Sequence, residues 1–181
     1  MNRALFSIVL AISLATISEA QTFTLKSKDI GGQATMKQVF NGFGCTGENI
    51  SPELYWENAP EGTKSFAVTM YDKDAPTGSG FWHWVIFDIP GGTTELKSDA
   101  GNISKNLAPA GSIQSITDFG QPGYGGPCPP PGNGYHQYLI TVYALKNDKL
   151  GVDKSASPAN VGFNLFSNTI AKASLVIYYK R

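Results

Sequence analysis

Histidine is nearly absent from this chain: His83 and His136 are the only two in 181 residues. Cysteine is as scarce, with Cys45 and Cys128 alone. Charge is sparse and balanced, 14 basic against 14 acidic residues, and no basic run occurs. That argues against nucleic acid or an anionic membrane surface as a partner held by bulk charge. There is no Gly-x-Ser-x-Gly elbow and no His-Glu-x-x-His pattern, so the nucleophile-elbow and zinc-helix signatures of hydrolases are both missing. Nor is there an uninterrupted apolar run of the roughly 20 residues that a membrane-spanning helix needs.

The nearest approach to such a run opens the chain. "MNRALFSIVLAISLATISEA" has a basic residue at Arg3, an apolar stretch from Ala4 to Ile17, and Ser18 and Ala20 at the −3 and −1 positions of a cut after Ala20. This is the pattern of a cleavable signal peptide, and the apolar part is too short for an anchor. Residues 1–20 are therefore read as a leader, and 21–181 as a single domain that is periplasmic or secreted and has no transmembrane segment. Cleavage would remove Arg3 and Glu19, one charge of each sign, and leave the mature chain neutral.

In an exported chain an even cysteine pair reads as a disulfide, with two buried free thiols as the alternative. A Cys45–Cys128 bridge would close a loop of about 83 residues and contribute ~4 kcal/mol in the chain-entropy account.

Glycine and proline, 20 and 11 residues, punctuate short apolar runs. That pattern predicts many short strands and long irregular loops. Strands are expected at Phe23–Ser27, Glu53–Trp56, Phe66–Tyr71, His83–Ile89, His136–Leu145 and Ser174–Tyr179. Phe66–Tyr71 and His83–Ile89 are almost continuously apolar and should be central, covered on both faces. One helix is expected in "SPANVGFNLFSNTIAKAS", with Ser157 as N-cap, Pro158 at the first helical position, and Val161, Leu165, Phe166 and Ile170 at helical spacing. The fold class is mainly β: two packed antiparallel sheets with one or two small helices. Residues 107–138 form the longest stretch without periodicity, rich in aromatic and turn residues, and a loop that long inside a domain is usually functional or disordered.

The two histidines each open an apolar strand, and Asp72 and Asp74 stand at the exit of another, in "YDKDAPTGSGFWHWVIFD". If those strands are neighbours, four ionisable groups meet at one end of a sheet. Each taken alone has an ordinary explanation, because Asp-x-Asp-x-Pro is a common turn in which carboxylates cap backbone N–H groups.

The segments "NISPELYW", "PEGTKSFAVTMYDKDAPTGSGFWHWVIFDIP" and "PPPGNGYHQY" resemble the signature segments of the phosphatidylethanolamine-binding protein family, and specifically its bacterial Raf-kinase-inhibitor-like branch. The resemblance covers nearly all of residues 21–181, in order. It implies a two-sheet β-fold with a small anion pocket near the surface. The family's acidic turn falls on Asp72, Asp74 and Pro76, and its first pocket histidine on His83. Its second motif falls on Pro129, Pro130, Gly132, Gly134, His136 and Tyr138. Two positions depart from the pattern. Lys73 stands where the family has proline, and Gln137 where it has arginine, which removes any salt bridge that arginine would make.

Two aspartates would repel a phosphate unless they have another task. The expected task is to accept a hydrogen bond from a histidine, orient its ring and leave its other N–H for the anion. Gly132–Gly134 would add backbone N–H donors. Trp82, Trp84, Tyr124 and Tyr138 would supply walls, with core packing the competing explanation for each. Anion binding should then strengthen as pH falls through the histidine range.

Three functions compete. The first is a non-enzymatic binding protein for a small anionic or phosphorylated ligand, such as phosphate or phosphoethanolamine, with no cofactor. The second is a protein inhibitor or regulator of an extracytoplasmic hydrolase or host protein. The third is a metallo-hydrolase using Asp72, Asp74, His83 and His136, a donor set that would suit zinc, although nothing in the spacing demands it.

Overall fold

Each of the six apolar runs becomes a strand, and the differences lie at the ends. The computed structural model describes residues 21–181; the leader read at residues 1–20 lies outside the described residues. The strands are β1 (Thr24–Lys26), β2 (Asn41–Gly42), β3 (Cys45–Thr46), β4 (Leu54–Glu57), β5 (Ser65–Asp72), β6 (Phe81–Pro90), β7 (Glu95–Leu96), β8 (Ile113–Gln114), β9 (His136–Leu145) and β10 (Thr169–Tyr179). The only α-helix among the described residues is α1, Pro158–Asn168.

Two antiparallel sheets make the body of the molecule. The larger has the order β10-β9-β5-β6-β8 and the smaller β1-β4-β7, while β2 and β3 form a separate hairpin. β5 and β6 are buried along nearly their whole length, as their continuous apolar sequence requires. Their inner face (Phe66, Val68, Met70, Trp84, Ile86) packs with Tyr138, Ile140 and Val142 of β9 and with Leu25, Leu54, Trp56 and Leu96 of the small sheet. On the outer face, Ala67, Val85, Phe87 and Leu145 pack against Val161 and Leu165 of α1. Truncating a fully buried residue such as Ile86 or Leu96 to alanine should cost about 2–5 kcal/mol.

The helix starts as the sequence says. The Ser157 hydroxyl accepts from the Asn160 amide at 3.3 Å, and Pro158 takes the first turn. It stops earlier than expected, at Asn168. Thr169 is already extended, and from there the chain pairs with β9, from Thr169↔Leu145 to Tyr179↔His136. Ladder pairing along a full β9 outweighs the helical spacing that Ile170 happens to satisfy. Phe166 also leaves the expected buried face and is 87 % exposed.

One irregularity decides the site. Along β5 and β6, Met70 pairs with Trp84 but Tyr71 pairs with Trp82, so His83 is an extra residue in β6. Residues two apart in a regular strand share a face. Here Trp84 lies in the inner core, while Trp82 joins the outer cluster and packs on Tyr71 at a ring distance of 4.5 Å. The bulge breaks the parity of the strand and re-aims its side chains, a recurrent use of β-bulges. No helix among the described residues is long and apolar enough to cross a membrane.

Candidate functional site

Asp72 and Tyr138 are direct partners across β5 and β9. Asp72 follows Phe66, Val68 and Met70 in alternation, so it ends the inward-facing row of β5. His136 lies two positions before Tyr138 on β9 and shares its face. The register therefore brings the carboxylate, the phenol and the imidazole to one end of the sheet. All three side chains are buried, with residue exposures of 3 % or less.

His136 Nδ1 donates to Asp72 Oδ2 at 2.7 Å, and Nε2 is 2.9 Å from the Asn133 side-chain amide. A carboxylate oxygen accepts, so Nδ1 carries the hydrogen and Nε2 accepts from Asn133. Asp72 Oδ1 accepts the Asp74 backbone N–H at 2.9 Å. The Tyr138 hydroxyl has no hydrogen-bond partner. Burial pushes this phenol well above its usual range, and the nearby Asp72 charge pushes it further, although the geometry falls short of a hydrogen bond between them.

His83 comes from the bulge. Its Nδ1 is 2.7 Å from the Gly125 carbonyl, which can only accept, so Nδ1 donates. Burial pushes its pKa down to about 4, against the opposing pull of the Gly125 carbonyl and Asp72. The ring is therefore neutral near pH 7, with Nε2 as an acceptor.

The walls are loops. Phe119 gathers Phe40, Phe43, Phe81 and His83, with ring centroids 4.6, 5.7, 4.9 and 5.4 Å away. The segment after Tyr124 runs close to residues 38–40. A Cβ on Gly126 would lie 1.9 Å from the Gln38 carbonyl oxygen, so only glycine fits there. The Gly126 N–H is held by the Asn49 side chain at 2.8 Å. A disulfide joins Cys45 to Cys128 across a separation of 83 residues, with Cα atoms 6.0 Å apart. Arg181 fastens the rim: its Nε donates to Pro129 O and its Nη1 to Phe43 O, both at 3.1 Å. These elements enclose a cavity of about 210 Å³, with Asp72, His83, His136 and Tyr138 as its polar part and Phe43, Pro76, Phe81, Phe119, Pro129 and Pro130 among its apolar walls.

A family model described as phosphatidylethanolamine-binding protein matches residues 26–180. The chain belongs to the phosphatidylethanolamine-binding protein family. It is 47 % identical to the UPF0098 protein YbcL of Escherichia coli (strain K12) over 182 residues, covering 99 % of each chain. It is 46 % identical to YbhB of the same organism over 149 residues, covering 82 % of this chain and 93 % of that one. The crystal structure of E. coli YbcL, described as a new member of the mammalian PEBP family, superposes with a TM-score of 0.86 at 49 % identity, covering 88 % of this chain and 98 % of that chain. A homologue from Chlamydia trachomatis, at 24 % identity and a TM-score of 0.73, shares the fold and covers 88 % and 97 % of the two chains.

Of the residues that the family resemblance singled out, Asp72, Pro76, His83, Pro129, Pro130, His136 and Tyr138 line this cavity. Asp74 does not. Its carboxylate accepts the Gln137 backbone N–H at 2.8 Å and pairs with Lys73 at 2.7 Å, and the Lys73 contact leads in holding its pKa below the usual carboxylate range. Gly132 and Gly134 are turn residues at positive φ, and the Gly132 N–H donates to Arg181 O rather than into the cavity. Trp82 lies on the outer face of the sheet. Trp84 is core, its indole N–H donating to Gln114. Tyr124 is buried, and its hydroxyl donates to Gln38 O.

Sequence reasoning did not single out Phe43, Phe81, Phe119, Gly126 or Arg181. Three of them stood beside marked residues: Phe43 precedes the "GC" of Cys45, Phe81 precedes the Trp-His-Trp, and Gly126 lies two residues before Cys128; Phe119 and Arg181 carried no such signal. Among the described residues no three His, Cys, Asp or Glu side chains converge into a metal-ligand group. Of the four residues of the metallo-hydrolase reading, Asp74 is turned away to the Gln137 N–H and Lys73, and Asp72 and His136 are bound to each other. The polar groups of the cavity, Asp72, His83, His136 and Tyr138, are enclosed by aromatic and proline side chains.

Proposed function

We propose that this chain is an exported, non-enzymatic binding protein whose cavity takes the phosphate-type head group of a small molecule, in keeping with the name of its family. One observation carries the reading. A hydrogen-bonded Asp72–His136 pair and an unpartnered Tyr138 hydroxyl are buried together at the base of a cavity of about 210 Å³. An unpartnered buried hydroxyl costs about 1–3 kcal/mol, and a ligand that hydrogen-bonds it recovers that cost. No serine, threonine or cysteine side chain is hydrogen-bonded to either cavity histidine among the described residues, which supports binding rather than turnover. The disulfide and the leader pattern of residues 1–20 support export to an oxidising compartment.

The test is calorimetric titration of residues 21–181 with phosphoethanolamine and inorganic phosphate at pH 6 and pH 8, beside His136→Ala. Binding that the variant abolishes is the expected result. No heat with either ligand at either pH overturns the reading and points to a protein partner.

A further inference from the structure

The outer face of the large sheet carries a larger concavity, away from Asp72 and the histidines. Helix α1 packs on this face and leaves an open groove of about 450 Å³, lined by Trp82, Val85, Val161, Leu165, Phe166 and Ile170 among others. The apolar lining is only partly covered: Phe166 is 87 % and Ile170 41 % exposed. Large apolar side chains left open around a concavity mark a binding surface. Gly162 of α1 widens the groove. It belongs to the lining, and a Cβ added there would meet nothing within 4 Å. Glycine is a poor residue for a helix interior, and neither a turn nor a close approach of another chain segment requires it here. The room it leaves belongs to the groove.

The groove has one charged corner. Lys172 of β10 and Tyr143 of β9 are direct cross-strand partners, so their side chains are neighbours on this face. Lys172 is the only charged residue in the lining, and no carboxylate lines the groove to neutralise it. Helix α1 itself carries no charge. The remaining polar side chains of the lining are the neutral hydroxyls of Thr69 and Thr169, and that of Thr169 already donates to Leu165 O at 2.7 Å. An apolar slot with an unneutralised ammonium and a phenol at one corner complements an alkyl chain that ends in an anion. We propose that this groove is a second binding site, for single-chain alkyl carboxylates of the fatty-acid type. The chain lies along Val161, Leu165 and Phe166, and the carboxylate meets Lys172 and Tyr143.

The groove and the head-group cavity are separate sites. Neighbouring residues of β6 divide between them: Trp82 lines the groove and His83 the cavity, and no residue lines both. The alkyl carboxylate site therefore goes beyond the phosphate reading and does not depend on it. The apolar part of the groove sets the preference for chain length, because each further methylene that it covers tightens binding about fourfold. Lys172 sets the preference for the charge of the head.

Calorimetry on residues 21–181 with octanoate, decanoate and decyltrimethylammonium, each below its micelle concentration, tests the site at pH 8, where a carboxylic acid is ionised. Decanoate should bind saturably, on the order of tenfold more tightly than octanoate and at least ~tenfold more tightly than the cation of equal chain length. Lys172→Gln, at an exposed position, should weaken decanoate at least ~fivefold and leave the cation no weaker. Gly162→Leu should abolish decanoate binding by filling the groove while raising the thermal midpoint, since leucine is the better helix former and the space beside Gly162 is open. His136→Ala, which alters only the head-group cavity, should leave decanoate affinity unchanged. No saturable decanoate binding, equal binding of anion and cation, or loss of decanoate binding in His136→Ala overturns the inference, and none of these touches the phosphate reading. If Gly162→Leu does not fold, Lys172→Gln and the wild-type comparison of anion with cation decide.

Discussion

Asp72 Oδ2 and His136 Nδ1, 64 residues apart in the chain, lie 2.7 Å apart with both side chains almost fully buried. Removing one partner strands the other in a place with little water. Asp72→Ala and His136→Ala should each lose about 3 kcal/mol of stability in urea titrations. The double variant should lose clearly less than the sum of the two. Additive losses would mean that the pair is not an energetic unit.

His83 makes stability depend on pH in a defined window. Its folded pKa is about 4, below the value near 6.5 expected when unfolded. Between those values the unfolded chain binds the extra proton, so stability falls as pH drops from about 6.5 to about 4, by of order 3 kcal/mol. Asp74 has its pKa lowered when folded, so its contribution is lost at still lower pH. His83→Gln, which keeps a donor for Gly125 O, should flatten the upper part of the curve. An equally steep curve in the variant would place the titrating group elsewhere.

The Cys45–Cys128 bridge ties the Cys128 wall of the cavity to the hairpin that carries Phe43. Reduction, or Cys45→Ser, should cost about 4 kcal/mol and also weaken phosphate binding several-fold. Unchanged affinity in a folded variant would confine the bridge to stability.

Asn133 covers the nitrogen of His136 that would otherwise face a ligand. Asn133→Ala, in an exposed turn, should shift stability by less than ~1 kcal/mol and lower phosphate affinity, because the freed Nε2 presents a lone pair to the anion. Higher affinity would show that the freed nitrogen carries a proton in the complex.

The strands, the helix start and the cysteine pairing were legible in the sequence, because each rests on local pattern or on the number of partners available. β9 was read to the residue. The end of α1 was not, since Ile170 satisfies helical spacing and only the length of β9 decides against it. Asp72, His83 and His136 were legible by residue type at strand ends. How they function was not, for three reasons. The parity of β6 depends on one extra residue at His83. The second nitrogen of His136 is covered from a turn. Asp74, which looks like an equal partner of Asp72, is turned outward by the Gln137 N–H and Lys73. The Phe43 and Phe119 walls come from loops that carry no periodicity, so no window of sequence could place them together.

The cavity draws its lining from Phe43 through Tyr138, and its rim is pinned by Arg181. No contiguous stretch holds more than part of it, so no fragment or half-folded intermediate can bind. A ligand would therefore stabilise the whole domain at once, by about 2.7 kcal/mol at one hundred times its dissociation constant. Resistance to proteolysis would rise with it, and ligand occupancy would report on how many molecules in the population have completed folding and closed their disulfide.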